Sequence, residues 1–600
     1  MFQSFEESAD PGQGPARLAA LRQMLAHEGL SGFLVPRADM YQGEYVAPRD
    51  DRLAWLTGFT GSAGFCAALL HDAGVFIDGR YRTQVKTQVD LDHFTPVPWP
   101  ETRLQDWLRN SLPQGGVVGF DPWLHTSDEI FKLEQDLKGS AIELRPVANQ
   151  VDAIWADQPD PPRGKVFVYP DDMAGESHGE KRARLAATLR EEGQKAAVIT
   201  LPDSLAWLLN IRGNDIPRNP VAHCVAILHD TGHLSLFIEA DKLDDTVQEH
   251  LGDEVTQLPF TGFAAALRTL SGPVRVDKAT APLQVVRELE DANVALNWGP
   301  DLCILPKACK NTTEIANTKA AHLLDAAAMC EFLCWFDAQP PGSISEIDVV
   351  TTLENMRRAT NALRDISFDT IAGTGPNGAV IHYRVTQHTN AMLQDGQLIV
   401  VDSGGQYLNG TTDITRTLPV GEVGAEEKTC FTRVLQGMIG ISRLRFPIGL
   451  AGRDIDAIAR MPLWVAGQDF NHGTGHGVGV YLCVHEGPQR ISRASDVALK
   501  PGMILSNEPG YYREGAFGIR IENLIVVQPA ADLDGADDRP MLDFETLTWV
   551  PIDRRLILSE MLSKAERDWI DGYHAACRDK ISPRLSEAAQ LWLRQATAPL

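Results

Sequence analysis

Twice within the first 210 residues the same three pieces follow one another in the same order. Arg17-Leu18-Ala19-Ala20 opens a helical pattern over residues 16–27, with Leu18, Leu21, Met24 and Leu25 on its apolar side. Gly32-Phe33-Leu34-Val35 comes next, then Asp51-Arg52-Leu53-Ala54-Trp55-Leu56. The second set is Arg184-Leu185-Ala186-Ala187, Ala197-Val198-Ile199-Thr200 and Asp203-Ser204-Leu205-Ala206-Trp207-Leu208. Apolar residues at helical spacing specify a helix, and a short apolar run bounded by turns specifies a buried strand. One such match is chance. Three in order predict a duplicated α/β domain, and the unequal loops make it a pair of similar domains rather than an array.

The passage Gln158-Pro159-Asp160-Pro161-Pro162-Arg163-Gly164 marks a linker. A different pattern begins near Lys310, where Asn311-Thr312-Thr313-Glu314 has the form of a capping box. The helix it starts carries Ile315, Leu323, Leu324, Met329, Phe332 and Leu333 on its apolar face. Beyond Ile366 short strands alternate with glycine-rich turns. Thr548-Trp549-Val550-Pro551 is expected to be a strand leading into a covering helix that ends near Ile581. At 600 residues the chain exceeds what one hydrophobic core supports. The expected architecture is α/β (α+β), with one α/β domain over residues 1–158, a second over 159–308 and a C-terminal domain over 309–600.

A formal net charge of -25 excludes a nucleic-acid backbone as the natural partner, because phosphate binding needs an excess of Lys and Arg. The opening Met1-Phe2-Gln3-Ser4-Phe5-Glu6-Glu7 is acidic and lacks the basic and apolar regions of a secretory signal. No apolar run approaches the roughly 20 residues needed to span a bilayer. Nine scattered cysteines, without any Cys-x-x-Cys, point to a reducing compartment. A cytoplasmic protein is expected.

The C-terminal domain holds the candidate chemistry. Asp402 ends the apolar run Leu398-Ile399-Val400-Val401, and Asp413 sits in Thr411-Thr412-Asp413-Ile414-Thr415-Arg416-Thr417. His476 lies in His472-Gly473-Thr474-Gly475-His476-Gly477, Glu508 in Asn507-Glu508-Pro509-Gly510, and Glu522 in Arg520-Ile521-Glu522-Asn523. Four carboxylates and one imidazole suit a pair of hard or borderline divalent cations, with carboxylates bridging between them. Taken singly, each has a structural alternative. Asp402 fits a turn or cap, Asp413 an exposed strand position, and Glu508 a loop. Strand alternation places Arg520 and Glu522 on one face, where they would form a salt bridge.

A lone histidine is more often a satisfied core residue. His382, His472, His476 and His485 all stand in glycine-rich or strand contexts, which reverses that preference. The glycines around His472 and His476 exclude the helical zinc signature that i,i+4 spacing suggests, and fit a backbone that approaches a ligand closely.

Asn409-Gly410 is a hairpin signal. A two-residue turn there would pair Asp413 with Gln406 and Asp402 with Thr417, leaving the two aspartates too far apart to share a cation pair. Convergence demands a bulge at Gly404, Gly405 or Gly410, or a turn placed earlier, near Tyr407-Leu408.

Together these stretches resemble the pita-bread metallopeptidases, and within them the three-domain Xaa-Pro aminopeptidases. The resemblance covers nearly the whole chain. In the first domain it includes Tyr45-Val46-Ala47-Pro48, Gly61-Ser62-Ala63-Gly64 and Asp78-Gly79-Arg80-Tyr81. Further on it includes Ile381-His382-Tyr383, the stretch from Asp402 to Asp413, the residues from His472 to Gly479, Val484-His485-Glu486-Gly487-Pro488 and Glu508-Pro509-Gly510-Tyr511-Tyr512. Tyr573-His574-Ala575-Ala576-Cys577-Arg578-Asp579 is also similar.

The resemblance implies two creatinase-like N-terminal α/β domains and a pita-bread catalytic domain. It implies that Asp413 and Glu522 bridge two divalent cations, that Asp402 completes one site, and that His476 and Glu508 complete the other. Manganese is the implied metal, while the ligand chemistry alone also admits zinc or cobalt. The implied reaction releases the first residue of peptides with proline at the second position, through a hydroxide held between the cations. Glu508 would shuttle the proton, and His485 would help to stabilise the oxyanion. His382 would position the substrate, His472 would shape the proline pocket, Arg520 would orient polar neighbours, and Tyr512 would assist. Arg80 would reach toward the substrate, unless it is a turn arginine in a surface salt bridge. Proline-containing peptides are the implied partners, and a homodimer the implied assembly. Asn409 and Arg513-Glu514 stand where the family is often acidic, and neither is a ligand position.

Two relatives of the same fold remain as alternatives, a prolidase restricted to Xaa-Pro dipeptides and a catalytically inactive peptide binder. Two N-terminal domains favour the aminopeptidase over the prolidase. Retention of all five ligands speaks against the inactive binder and against a metal-free creatinase-like enzyme.

Overall fold

The computed structural model describes residues Met1–Leu600. The chain divides into two compact units, Ser8–Lys307 and a second that joins Met1–Glu7 to Ala308–Leu600. No helix is long and apolar enough to cross a membrane.

In Ser8–Lys307 the repeated pieces become two copies of one sheet. The first runs in the order Thr95–Pro98, Ala73–Ile77, Phe65–Leu69, Gly32–Pro36, Gly116–Phe120, Ile142–Pro146. The second runs Val255–Leu258, Leu234–Phe237, Val225–His229, Ala196–Ile199, Val274–Val276, Leu296–Trp298. Parallel and antiparallel neighbours follow in the same sequence in both. The duplication read from short motifs is thus a duplication of topology. Its cause is the equivalent packing of the helices Gly14–His27 and His178–Glu191. The first buries Leu18, Leu21 and Leu25, and the second buries Leu185, Ala186 and Leu189.

The other unit opens with the helix Thr312–Asp337, capped reciprocally by Asn311 and Glu314 as the sequence predicts. Its buried face includes Met329, Phe332 and Leu333. Behind it lies the antiparallel sheet Ile371–Thr374, Gln397–Ser403, Ile414–Val420. Alternation along the central strand sends Ile399 and Val401 into the core with Met329 and Phe332, while Leu398 packs on a second core with Ile519 and Ile521. Asp402 shares the face of Leu398. A six-stranded sheet, Phe446–Pro447, Met541–Thr546, Asn523–Pro529, Ile504–Asn507, Gly475–Gly477, Glu486–Ile491, carries the histidine and glutamate motifs.

Two local expectations change. Thr548-Trp549-Val550-Pro551 is not a strand, and the last strand before the C-terminal helix is Met541–Thr546. The carbonyls of Val550 and Pro551 are taken instead by the buried Arg416 guanidinium, at 2.6 and 3.0 Å, so no ladder forms. Glu522 does not continue the strand of Arg520. It lies in the break between Phe517–Arg520 and Asn523–Pro529.

Candidate metal centre

The hairpin carrying the two aspartates turns earlier than the Asn409-Gly410 signal suggests. Tyr407 pairs with Gly410 and Asp402 with Thr415, which puts residues 408 and 409 at the tip. Moving the turn by one place shifts the register by two residues, so every side chain keeps its face. Asp413 thereby becomes a diagonal neighbour of Asp402 on one face, within reach of a common ligand.

Around this hairpin the ligand atoms of Asp413, His476 and Glu522 lie within 4.8 Å of one another. His476 Nε2 is 3.5 Å from Asp413 Oδ2 and 3.5 Å from Glu508 Oε1. The hydrogen bonds to these acids are incomplete in a regular way. Asp402 Oδ2 accepts from Arg520 Nη2 at 2.6 Å, Glu522 Oε2 from Thr415 Oγ1 at 2.8 Å, and Glu508 Oε1 from Ser506 Oγ at 3.2 Å. Asp402 Oδ1, Asp413 Oδ1 and Glu522 Oε1 are buried without any partner. Buried carboxylate oxygens are ordinarily satisfied, so three orphans in one pocket fit a cation site.

The backbone holds the imidazole in the form a cation needs. His476 Nδ1 donates to the Gly477 carbonyl at 2.9 Å, which turns Nε2 toward Asp413 and Glu508 as the nitrogen that ligates once its proton is displaced. The His476 amide donates to Ser506 Oγ at 2.9 Å. A Cβ at Gly475 would run into the Ser506 carbonyl, and one at Gly477 into the Glu486 carbonyl. That close approach is why the loop is glycine-rich. The Glu508 amide donates to the Thr474 carbonyl at 2.8 Å, and the Glu522 amide to that of Thr415 at 3.1 Å, which locks both glutamates to neighbouring ligand segments.

Electrostatics agree with the geometry. Burial, reinforced by the charges of Asp413, Glu508 and Asp402, raises Glu522 well above the ordinary carboxylate range. Burial raises Asp402 against the opposing pull of Arg520. It also lifts Glu508 to about 7, although His476 and Arg520 oppose it. For His476, burial disfavours the charged ring, but the Asp413 hydrogen bond and the charges of Glu508 and Asp413 outweigh it and raise the ring to about 9. Protons are thus held where positive charge is wanted, the behaviour of a ligand set that exchanges protons for metal.

The remaining sequence candidates fall in three places. His472 Nδ1 donates to the Gly473 carbonyl at 2.7 Å, and its Nε2 accepts from the Tyr512 hydroxyl at 2.9 Å. Tyr512 in turn accepts from Arg520 Nη1 at 2.6 Å, so His472, Tyr512, Arg520 and Asp402 form one line of hydrogen bonds. The Arg520–Glu522 salt bridge, the structural alternative for Glu522, does not form, and Arg520 pairs with Asp402 instead. His485 stands edge-on to His476 with ring centroids 4.3 Å apart. His382 lies in a loop whose Ile381 carbonyl accepts from Arg520 Nη2 at 3.4 Å. Arg80, in the unit Ser8–Lys307, forms an ion pair with Asp78 at 2.7 Å.

Sequence reasoning missed Thr415, Ser506 and Arg416. Thr415 stands two residues after Asp413 on the same strand face, a signal that alternation could have supplied. Ser506 stands two residues before Glu508 and donates to it, whereas Arg416 reaches the Glu522 carbonyl from 106 residues away.

A carboxylate-rich pocket closed around one imidazole, at the meeting of antiparallel sheets, defines a metalloenzyme. The chain belongs to metallopeptidase family M24. The profile described as metallopeptidase family M24 matches residues 316–529, and that of its C-terminal region matches residues 540–600. The creatinase/prolidase N-terminal domain matches twice, at residues 17–154 and 157–314. A probable Xaa-Pro aminopeptidase P of Aspergillus fumigatus is 38% identical over 97% of this chain and 92% of its own length. The X-prolyl aminopeptidase of Caenorhabditis elegans, described as a cytosolic enzyme with a di-nuclear active site, superposes with a TM-score of 0.93 at 31% identity, covering 98% of this chain and 100% of its own. The Xaa-Pro dipeptidase of Bacillus anthracis covers 63% of this chain and 99% of its own, with a TM-score of 0.50 at 25% identity.

Proposed function

We propose that this chain is a metal-dependent Xaa-Pro aminopeptidase that frees the first residue of peptides carrying proline second. The observation that carries this reading is the cluster of Asp413, His476 and Glu522, whose ligand atoms lie within 4.8 Å of one another, together with the unpartnered buried oxygens of Asp402, Asp413 and Glu522. Asp402, Asp413, His476, Glu508 and Glu522 are proposed to hold two divalent cations, with Asp413 and Glu522 shared. Bound there, the cations would supply Lewis acidity and an acidified water.

The chain's own residues do the rest. Water adds to the carbonyl carbon before proline, the C–N bond breaks, and the proton lost by the water reaches the leaving nitrogen. Glu508 is the proposed carrier of that proton. Its side chain is 17% exposed, against 10% for Asp402 and 4% for Asp413, so it is the one of these three acids that best faces the substrate side. His485, beside His476, is proposed to donate to the developing oxyanion. His472, fixed in one tautomer by Gly473, is proposed to line the proline pocket with Tyr512. Arg520 keeps that line tied to Asp402, and His382 is proposed to position the scissile bond. Arg80, paired with Asp78 in the unit Ser8–Lys307, is proposed as a substrate contact. Proline is selected because its nitrogen carries no hydrogen and its ring fixes φ, which a shaped pocket recognises by fit.

We further propose manganese as the metal, a cytoplasmic location and a homodimer. The oxygen-rich ligand set suits manganese. All nine cysteines are free, as a reducing compartment favours.

The deciding experiment follows release of the free first residue from Xaa-Pro-Yaa and Xaa-Pro peptides after chelation and metal add-back. Turnover of the tripeptide, lost on chelation and restored best by Mn²⁺, is expected. Cleavage of dipeptides alone would make it a prolidase. No cleavage by metal-replete protein would make it a peptide binder.

A further inference from the structure

The opening acidic stretch plays no part in the site as described so far, yet Met1–Glu7 belongs to the same compact unit as the metal centre. It is anchored at its start on the helix Glu346–Ala359, where the Phe2 amide donates to Glu354 Oε1 at 2.7 Å, and beyond that on residues 370–387. Gln3 Oε1 accepts from the Thr370 amide at 2.8 Å while Gln3 Nε2 donates to the Thr370 carbonyl at 3.2 Å. One side-chain amide thus closes both backbone groups of a residue that is itself buried. The next residue, Ile371, is the register partner of Asp402.

The following residues grip the loop that carries His382. Arg384 donates from Nη2 to the Ser4 carbonyl at 2.8 Å and from Nη1 to the Glu6 carbonyl at 3.0 Å. The Gln387 amide donates to the Phe5 carbonyl at 2.9 Å, and Thr386 Oγ1 donates to Glu7 Oε1 at 2.8 Å. Phe5 packs against the apolar core under this loop. Residues 380–390 form neither helix nor strand, so their conformation is set by what ties them down. On the inner side the ties are Arg520 on the Ile381 carbonyl and the Tyr383 hydroxyl, which donates to Glu346 Oε2 at 2.9 Å. On the outer side they are Arg384 on Asp369, at 3.1 Å, and the heptapeptide.

We propose that residues 1–7 are a positioning strap for the catalytic unit, holding the 380–390 loop so that His382 meets the substrate. This deepens the aminopeptidase reading and rests on it for the role of His382. Without the strap, Thr370, Arg384 and Gln387 would bond to water, and the loop would sample conformations in which His382 is misplaced.

The test compares the full chain with one that starts at Ser8 after an initiating methionine, and with full-length Gln3→Ala/Glu7→Gln. A synthetic Met1–Glu7 peptide is then added in trans. Its second residue is Phe2, so it is not itself a substrate of the proposed specificity. Hydrogen exchange of residues 380–390 is expected to speed up by about tenfold on truncation, with the metal content unchanged. KM for Xaa-Pro-Yaa should rise several-fold and more than kcat falls, and the peptide should reverse both effects. The double variant should lie between. Unchanged exchange in 380–390 together with unchanged KM would overturn the proposal. If the truncated chain does not fold, the double variant decides by the same two readouts. If the full chain cleaves no Xaa-Pro-Yaa peptide, the aminopeptidase reading falls, while exchange and its reversal by the peptide still decide the strap.

Discussion

Asp325 and Asp402 are both buried carboxylates paired with an arginine, in the same unit, and their surroundings differ in one respect. Asp325 Oδ1 accepts from Arg357 Nε at 2.8 Å and from the Tyr407 hydroxyl at 2.7 Å, and its Oδ2 accepts from Arg357 Nη2 at 3.1 Å. Asp402 has one oxygen on Arg520 and the other on nothing, with further acids beside it. The first cluster balances its own charge and closes its own hydrogen bonds. The second is complete only with added positive charge. Burial and an arginine partner are common to both, so neither distinguishes a functional acid from a structural one. The gathering of several unpaired oxygens does, since single ones also occur at Asp301 and Asp543.

The largest expected effect comes from removing a charge at the open cluster. Glu522→Gln should cut metal occupancy and lower kcat/KM on the order of 10³-fold, because several kcal/mol of transition-state stabilisation depend on the cations. Metal analysis beside thermal melting would check this, and full occupancy in the variant would break the comparison. At the closed cluster the loss should instead be one of folding. Arg357→Met leaves Asp325 charged and unpaired, and should cost about 3–5 kcal/mol in denaturant unfolding while the folded fraction still binds metal normally. His485→Ala should lower kcat by about 10²- to 10³-fold with metal retained, as loss of one oxyanion donor does.

The smallest effect is a pH trend. In metal-free protein Glu508 at about 7 and His476 at about 9 both lie above their unfolded values, so the folded state binds more protons than the unfolded. The stability these two groups add to the chelated protein should therefore be fully present in acid and be lost as pH rises from about 4 to about 9. Metal binding releases those protons, so affinity should weaken as pH falls below about 9 and more steeply below about 7. Melting curves with and without metal across that range would check both. A chelated protein that gains stability over the same interval would mean that the open cluster is balanced after all.

Much of this molecule was legible from local signals. The Asn311/Glu314 cap and its helix, the duplicated helix–strand–helix order and the residue types of the ligand set are all patterns within a turn or two of chain. Two local signals were overridden by other contacts. Asn409-Gly410 is a strong turn signal, but the ladder formed by Ser403 with Ile414 and by Gln406 with Thr411 leaves the turn at residues 408 and 409. Thr548-Trp549-Val550 has strand propensity, but Arg416 claims its carbonyls from another part of the fold. Propensity describes what a segment prefers alone, and a buried guanidinium with several donors outweighs it.

The sequence by itself determined which elements form, that the first half is built twice, and which side chains are able to bind a divalent cation. Only the tertiary structure decided which of their oxygens are used up. Arg520 takes an oxygen of Asp402 from 118 residues away, and Thr415 takes one of Glu522 from 107. The same holds for the strap, where Gln3 meets Thr370 across 367 residues. Helices and strands follow from neighbours along the chain, whereas the satisfaction of a buried polar atom depends on whatever the packed interior brings beside it.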